Sequence, residues 1–144
     1  MQSHYDGPVR WAILSVVAAV AGSAVAASAA GAPDDVAVEL RCPGSQGTGR
    51  VRCTVDATTR GGRTLSWADV VIVRAPPFAT PLRGRLAPSD AIDQAPDRWR
   101  WEFALAARTR GRGEVTVRVR AVVCDHGVCS PWQREVSAPL AVGE

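Results

Sequence analysis

From residue 36 onward the chain alternates between apolar and polar positions in short runs. Val36, Val38, Leu40 and Cys42 interleave with Ala37, Glu39 and Arg41, and Val51, Cys53, Val55 and Ala57 repeat the pattern after a Pro-Gly-Ser-Gln-Gly-Thr-Gly stretch. Period-two alternation marks a strand with one face in a core. The two runs predict a hairpin whose apolar side carries both Cys42 and Cys53, placed opposite one another as a cross-strand disulfide requires. Such a bond closes a loop of about 12 residues and contributes on the order of 3 kcal/mol in the chain-entropy model, so this pair reads as structural.

Arg60 to Arg63 reads as a turn. Leu65 to Arg74 then contains Trp67 and the run Val70-Val71-Ile72-Val73, which predicts a strand buried in the middle of a sandwich. Ala75-Pro76-Pro77-Phe78 ends it, because proline removes ladder donors. Thr80 to Asp97 holds three prolines and a Ser89-Asp90 able to cap one helical turn, and reads as a long irregular loop, either a covering or binding segment or a plain surface connection. Trp99, Trp101, Phe103 and Leu105 alternate with Arg98, Arg100, Glu102 and Ala104, an alternation with charge that places the tryptophans in the core before any ligand platform. A Gly111-Arg112-Gly113 turn is expected to lead to a strand with Val115, Val117, Val119, Ala121 and Val123 on its apolar face. Cys124 falls on the other face of that strand. The last run, Val128 to Val142, sets Cys129 and Pro131 opposite Trp132 and Val136.

These six or seven strand candidates, with turn signals about every ten residues and no convincing helix, predict an all-β fold: an immunoglobulin-like antiparallel β-sandwich with two disulfides. The preceding segment is of another kind. Trp11 to Ala30 is uncharged, follows Arg10, and runs through alanine, serine and glycine toward Pro33-Asp34-Asp35. It reads as a cleavable signal peptide over residues 1–30, with small-residue cleavage sites between Ala24 and Ala32. Residues 31–144 then form a single domain of about 110 residues, enough for one modest core. The expected location is periplasmic or secreted, in a bacterium whose codon bias explains an arginine-only basic set. Four cysteines in an exported chain point to two disulfides. The net charge of +3 with a pI near 9.0 would suit nucleic acid in a cytosolic protein. Export and the scattering of the arginines argue against that partner, and no small-molecule substrate is inferred.

Absent residue types narrow the chemistry. The sequence has no lysine and no asparagine, and beyond the leader its one histidine is His126. Lysine-based covalent catalysis and two-histidine metal sites are excluded. A Ser-His-Asp hydrolase lacks its nucleophile element. What remains is Val122 to Trp132, V-V-C-D-H-G-V-C-S-P-W, a hairpin tip that brings Cys124 and Cys129 to bonding distance across Asp125-His126-Gly127-Val128. As a staple it closes only about six residues, worth roughly 2 kcal/mol. A small loop at an exposed tip is also one that a thiolate reaches and exchanges with. Asp125 opposes thiolate formation and a protonated His126 favours it, so the thiol pKa carries no sign. Arg120 is about 13 Å away along the strand, beyond the screening length of about 8 Å. Cys124, His126 and Cys129 lack a fourth ligand and a C-x2-C turn, so no metal is expected. On spacing alone the structural disulfide leads over the redox pair.

The segment V-R-A-V-V-C-D-H-G-V-C-S-P-W-Q-R-E-V-S-A-P-L-A-V resembles the closing hairpin of the N-terminal periplasmic domain of the thiol:disulfide interchange protein DsbD. The resemblance covers about the last 75 residues and implies an immunoglobulin-like fold. Cys124 and Cys129 would be the exchanging pair and Pro131 the proline after the second cysteine. The implied partners are envelope protein thiols or a membrane thiol reductase, with no bound cofactor. Ser130-Pro131 stands where the family often has two prolines, and the Cys42 and Cys53 pair lies outside its pattern. The competing expectation is a non-catalytic secreted sandwich that binds a partner and keeps both disulfides as braces.

Overall fold

The computed structural model describes residues 35–143, and the leader reading of residues 1–30 lies outside them. The fold is all-β, nine strands and one 3-10 turn among the described residues: β1 (Val36–Arg41), β2 (Gly49–Thr59), β3 (Thr64–Arg74), β4 (Ala79–Pro81), β5 (Arg85–Leu86), the turn Pro88–Asp90, β6 (Asp93–Ala95), β7 (Arg98–Ala107), β8 (Gly111–Asp125) and β9 (Val128–Val142). They form two antiparallel sheets. One has the order β1-β2-β7-β4 with β6 also on β7, and the other β5-β3-β8-β9. Taking β1, β2, β3, β7, β8 and β9 as strands A, B, C, E, F and G, these are the two sheets of an immunoglobulin-like sandwich, with β5 in the place of C′.

The alternating residues meet between the sheets. Cys53, Val55, Ala57, Trp101, Leu105, Val115, Val117 and Val119 have no exposed surface, and the Trp99 and Trp101 rings lie 5.8 Å apart. Both tryptophans are core residues. The buried Trp101 indole donates its Nε1–H to the Ala87 carbonyl at 3.2 Å, which removes the cost of burying an unpaired donor.

Neither disulfide joins the sheets. Cys42–Cys53, with Cα atoms 4.3 Å apart, lies at the end of the β1–β2 ladder. Cys124–Cys129, at 4.0 Å, is a directly opposed pair of the β8–β9 ladder. The sheets are held together by interdigitated apolar side chains and by the segment from β4 to β6. That segment, expected to be irregular, crosses from an edge of one sheet to an edge of the other and back. It buries Leu86, so its role is to cover the core. Asp90 accepts the Ala87 N–H at 2.7 Å and Arg83 Nη1 at 2.9 Å, so the capping carboxylate acts within the single turn foreseen there.

Two expectations change. The turn anticipated at Gly111-Arg112-Gly113 lies just before it, and Gly111 already begins β8. These glycines serve a close approach instead: a Cβ on Gly111 would stand 2.7 Å from the Phe78 ring, and one on Gly113 2.5 Å from Pro76. β3 is an interior strand of its sheet, yet Val71 and Ile72 are half-buried and Val73 is 40% exposed. An antiparallel sheet in a two-layer fold has one solvent-facing side, and the continuous run spans both sides.

β9 is an edge strand, protected in two ways. Ser45 bonds Ala141 O at 3.0 Å and Gly143 N at 2.7 Å, covering its C-terminal end. Those bonds show that odd-numbered β9 residues turn their backbone groups away from β8. Pro131 and Pro139 occupy such positions, where a missing N–H interrupts pairing with a further strand.

Candidate functional site

The hairpin between β8 and β9 is tighter than its sequence implied. Asp125 pairs with Val128, leaving a two-residue loop of His126 (φ 48°) and Gly127 (φ 79°). Two successive positive φ values give the primed turn that matches strand twist. Glycine adopts this region without cost, and histidine is among the few side chains enriched there. The turn places Cys124 and Cys129 opposite each other on the outer face, as their parity predicted, with Cys124 half-buried and Cys129 exposed.

The predicted neighbours of the pair are engaged with one another. His126 Nδ1 lies 2.6 Å from Asp125 Oδ1, with the imidazole almost fully in solvent. Arg63, from the β2–β3 turn, reaches Asp125 at 3.6 Å and Asp35 at 3.5 Å. Pro131 lies two residues along β9 and lines a groove of about 550 Å³ shared with Asp35, Arg63, Val128 and Trp132. Arg120 is committed elsewhere and does not serve the sulfurs.

That commitment builds a polar cluster on the outer face. Arg120 Nε donates to Asp69 Oδ1 at 2.8 Å and its Nη2 to Oδ2, while Arg85 Nε donates to Oδ2 at 2.8 Å. Asp69 has no exposed surface. Its burial works to raise the carboxyl pKa, but the hydrogen bonds and charges of Arg120 and Arg85 outweigh it and hold the group below the ordinary carboxylate value. The Asp69 bond in turn raises the Arg120 pKa. Thus fixed, the Arg120 guanidinium stands 5.8 Å from the centre of the Trp67 ring, a cation–π arrangement. Trp67 and Arg120, with Val122, Pro131, Trp132 and Gln133, line a groove of about 430 Å³. Trp132 and Arg134 pair with the core-facing Ala121 and Val119, so they lie on the other side of β9, where the Arg134 guanidinium stands 5.7 Å from the Trp132 ring.

Sequence reasoning missed Trp67 and Asp69 as members of this surface. Trp67 pairs with Val122 because the register slips between Leu65 and Trp67. A bulge adds one residue and switches the face of every residue beyond it in the strand, and nothing in the local alternation marks it. Asp69 left a signal: a carboxylate inside an apolar strand run demands a charged partner.

No family model matches the chain, and no curated protein matches it. The solved structures that match include two at low similarity. One is BslA, a bacterial hydrophobin, at 14% identity and a TM-score of 0.39, over 75% of this chain and 95% of that one. The other is AggA, the major subunit of aggregative adherence fimbriae type I from Escherichia coli, at 8% identity and a TM-score of 0.37, with the same coverage. At these levels neither protein's properties transfer. The DsbD likeness gains no support from the comparisons and rests on the hairpin sequence alone.

Proposed function

We propose that this chain is an exported, disulfide-braced binding module that engages a protein partner through the outer face of the β5-β3-β8-β9 sheet, with both disulfides structural. The observation that carries this reading is the Asp69–Arg120–Trp67 stack on that face. Tryptophan and arginine dominate the energetics of protein interfaces, and an arginine already clamped by a buried carboxylate loses little freedom on binding. Prolines on the β9 edge argue against strand addition as the binding mode. Export is supported by the uncharged leader and by the pairing of all four cysteines.

Exposure of Cys129 favours a second reading, disulfide exchange. An incoming thiolate from an envelope protein or membrane thiol reductase would attack Cys129 Sγ. The sulfur–sulfur bond would break, a mixed disulfide would form, and Cys124 would leave as the thiolate. A second thiol on the partner would then resolve the mixed disulfide, leaving the partner oxidised and the pair reduced.

One experiment separates the two. Because the chain has no lysine, partners are captured by carbodiimide coupling of its carboxylates to partner amines in the exported fraction of the native host, using the wild-type chain, Trp67→Ala, and Cys124→Ser with Cys129→Ser. The binding-module reading expects one set of partners that Trp67→Ala loses and the double cysteine variant retains. The opposite pattern would overturn it in favour of exchange.

A further inference from the structure

The two ends of the sandwich differ in charge. One end carries the β2–β3 turn, the β8–β9 tip and Asp35. The other carries the loops after β1 and β3, the β7–β8 turn and the end of β9. Most arginines are paired with acids: Arg41 with Glu39, Arg52 with Glu102, Arg83 with Asp90, Arg98 with Asp93, Arg100 with Asp56 and Arg118 with Glu135. Arg112 and Arg134 have interactions of their own. Among the described residues, the arginines without an acidic partner are Arg50, Arg60, Arg74, Arg108 and Arg110. All five are exposed, and four of them lie toward the second end.

Strand register brings those four to one end from distant places in the sequence, with Arg50 on the outer face of one sheet and Arg74 on the outer face of the other, on either side of the turn that holds Arg108 and Arg110. Arg50 pairs with Ala106 near the end of β7, and Arg74 with Thr116 near the start of β8. Arg108 donates its N–H to Phe78 O at 2.9 Å, and Arg110 packs against Gly143 so closely that a Cβ there would collide with its side chain. The acid nearest Arg74 in register is Glu114, opposite Pro139 on the outer face, and Arg50 shares a groove with Asp90 and Glu102, whose carboxylates are paired with Arg83 and Arg52.

Among these arginines sits an apolar loop. Pro76 and Phe78 rest on Gly111 and Gly113, while Pro77 is exposed and Val73 is 40% exposed. A soluble anion or a polyanion needs the cations only. Apolar side chains at the tip of a cationic end fit a surface with negative headgroups over hydrocarbon.

We infer that the end of the sandwich formed by Arg50, Arg74, Arg108, Arg110 and the Val73–Phe78 loop docks onto an anionic phospholipid surface. This surface lies at the opposite end from the hairpin tip and is separate from the Trp67 groove, so a membrane-docked molecule would point the hairpin tip away from the bilayer. Each arginine at such a surface is worth about a fivefold change in binding, and the interaction weakens as salt screens it.

The test is flotation of the chain as recovered from the exported fraction, its N-terminus checked by mass, with vesicles of phosphatidylcholine alone and of phosphatidylcholine equimolar with phosphatidylglycerol. The expected result is salt-sensitive binding that prefers the anionic vesicles and falls about 25-fold in Arg108→Gln with Arg110→Gln. Arg50→Gln with Arg74→Gln should weaken it comparably, which guards against a local folding defect around Gly143. Arg60→Gln, at the other end, should leave it unchanged. Equal binding to the two vesicle types, or anionic binding insensitive to both double variants, would overturn the inference. So would arginine-dependent binding to an acidic polysaccharide such as polygalacturonate without binding to vesicles, which would make this end a polyanion site.

Discussion

The two disulfides are built alike and placed oppositely. Each ties neighbouring antiparallel strands of one sheet, Cys124–Cys129 as an opposed pair within its ladder and Cys42–Cys53 just past the end of β1, with Cα atoms 4.0 Å and 4.3 Å apart. Cys53 has no exposed surface and belongs to the core, whereas Cys129 is exposed on the outer face. A shift of one residue in strand parity is all that separates a bond enclosed by the core from one open to solvent. Reactivity in this fold is therefore decided by which face a cysteine occupies, before any neighbour tunes it.

The comparison can be broken at several points. Replacing Cys42 and Cys53 together by alanine should cost about 3 kcal/mol, measured by urea unfolding, since the longer loop is released. Replacing Cys124 and Cys129 by serine should cost about 2 kcal/mol, and the gap should close if the two bonds are equivalent.

Asp69→Asn should cost roughly 1–2 kcal/mol, because its arginine partners are half-exposed and return to water. It should also change the acid limb of stability. The folded pKa of Asp69 lies below its unfolded value. Its contribution is thus fully present above about pH 4 and is lost as pH falls through the depressed folded value. Acid titration of unfolding should show this loss in the wild type and not in Asp69→Asn.

Smaller still, Gly127→Ala should destabilise the hairpin by about 1 kcal/mol, since its φ is positive. Pro131→Thr should leave the unfolding midpoint nearly unchanged but promote concentration-dependent association through the restored edge N–H. Analytical ultracentrifugation reads this directly.

Much of this arrangement was legible in the chain. Alternation around Val51–Ala57, Trp99–Leu105 and Val115–Val123 marked the strands that carry the core, and parity correctly assigned the two cysteine pairs to different environments. Alternation reports only which face a residue occupies if no bulge intervenes. It could not show the slip at Ser66 that turns Trp67 outward beside Arg120. Nor does it carry long-range register, so arginines that look scattered from Arg50 to Arg110 share one end of the sandwich through strand pairing that no local window contains. The β4–β6 segment was opaque for a related reason: its strands are two or three residues long, too short for a period to register.

The measurement that bears most directly on the role of the cysteines is the reduction potential of each disulfide, obtained by equilibrating the protein in thiol buffers and mapping alkylated cysteines by mass. Both bonds acting as braces predicts that Cys42–Cys53 and Cys124–Cys129 each stay closed until potentials below about −300 mV. Opening of Cys124–Cys129 well above that value, with Cys42–Cys53 still closed, would contradict the binding-module reading and make the hairpin a site of exchange.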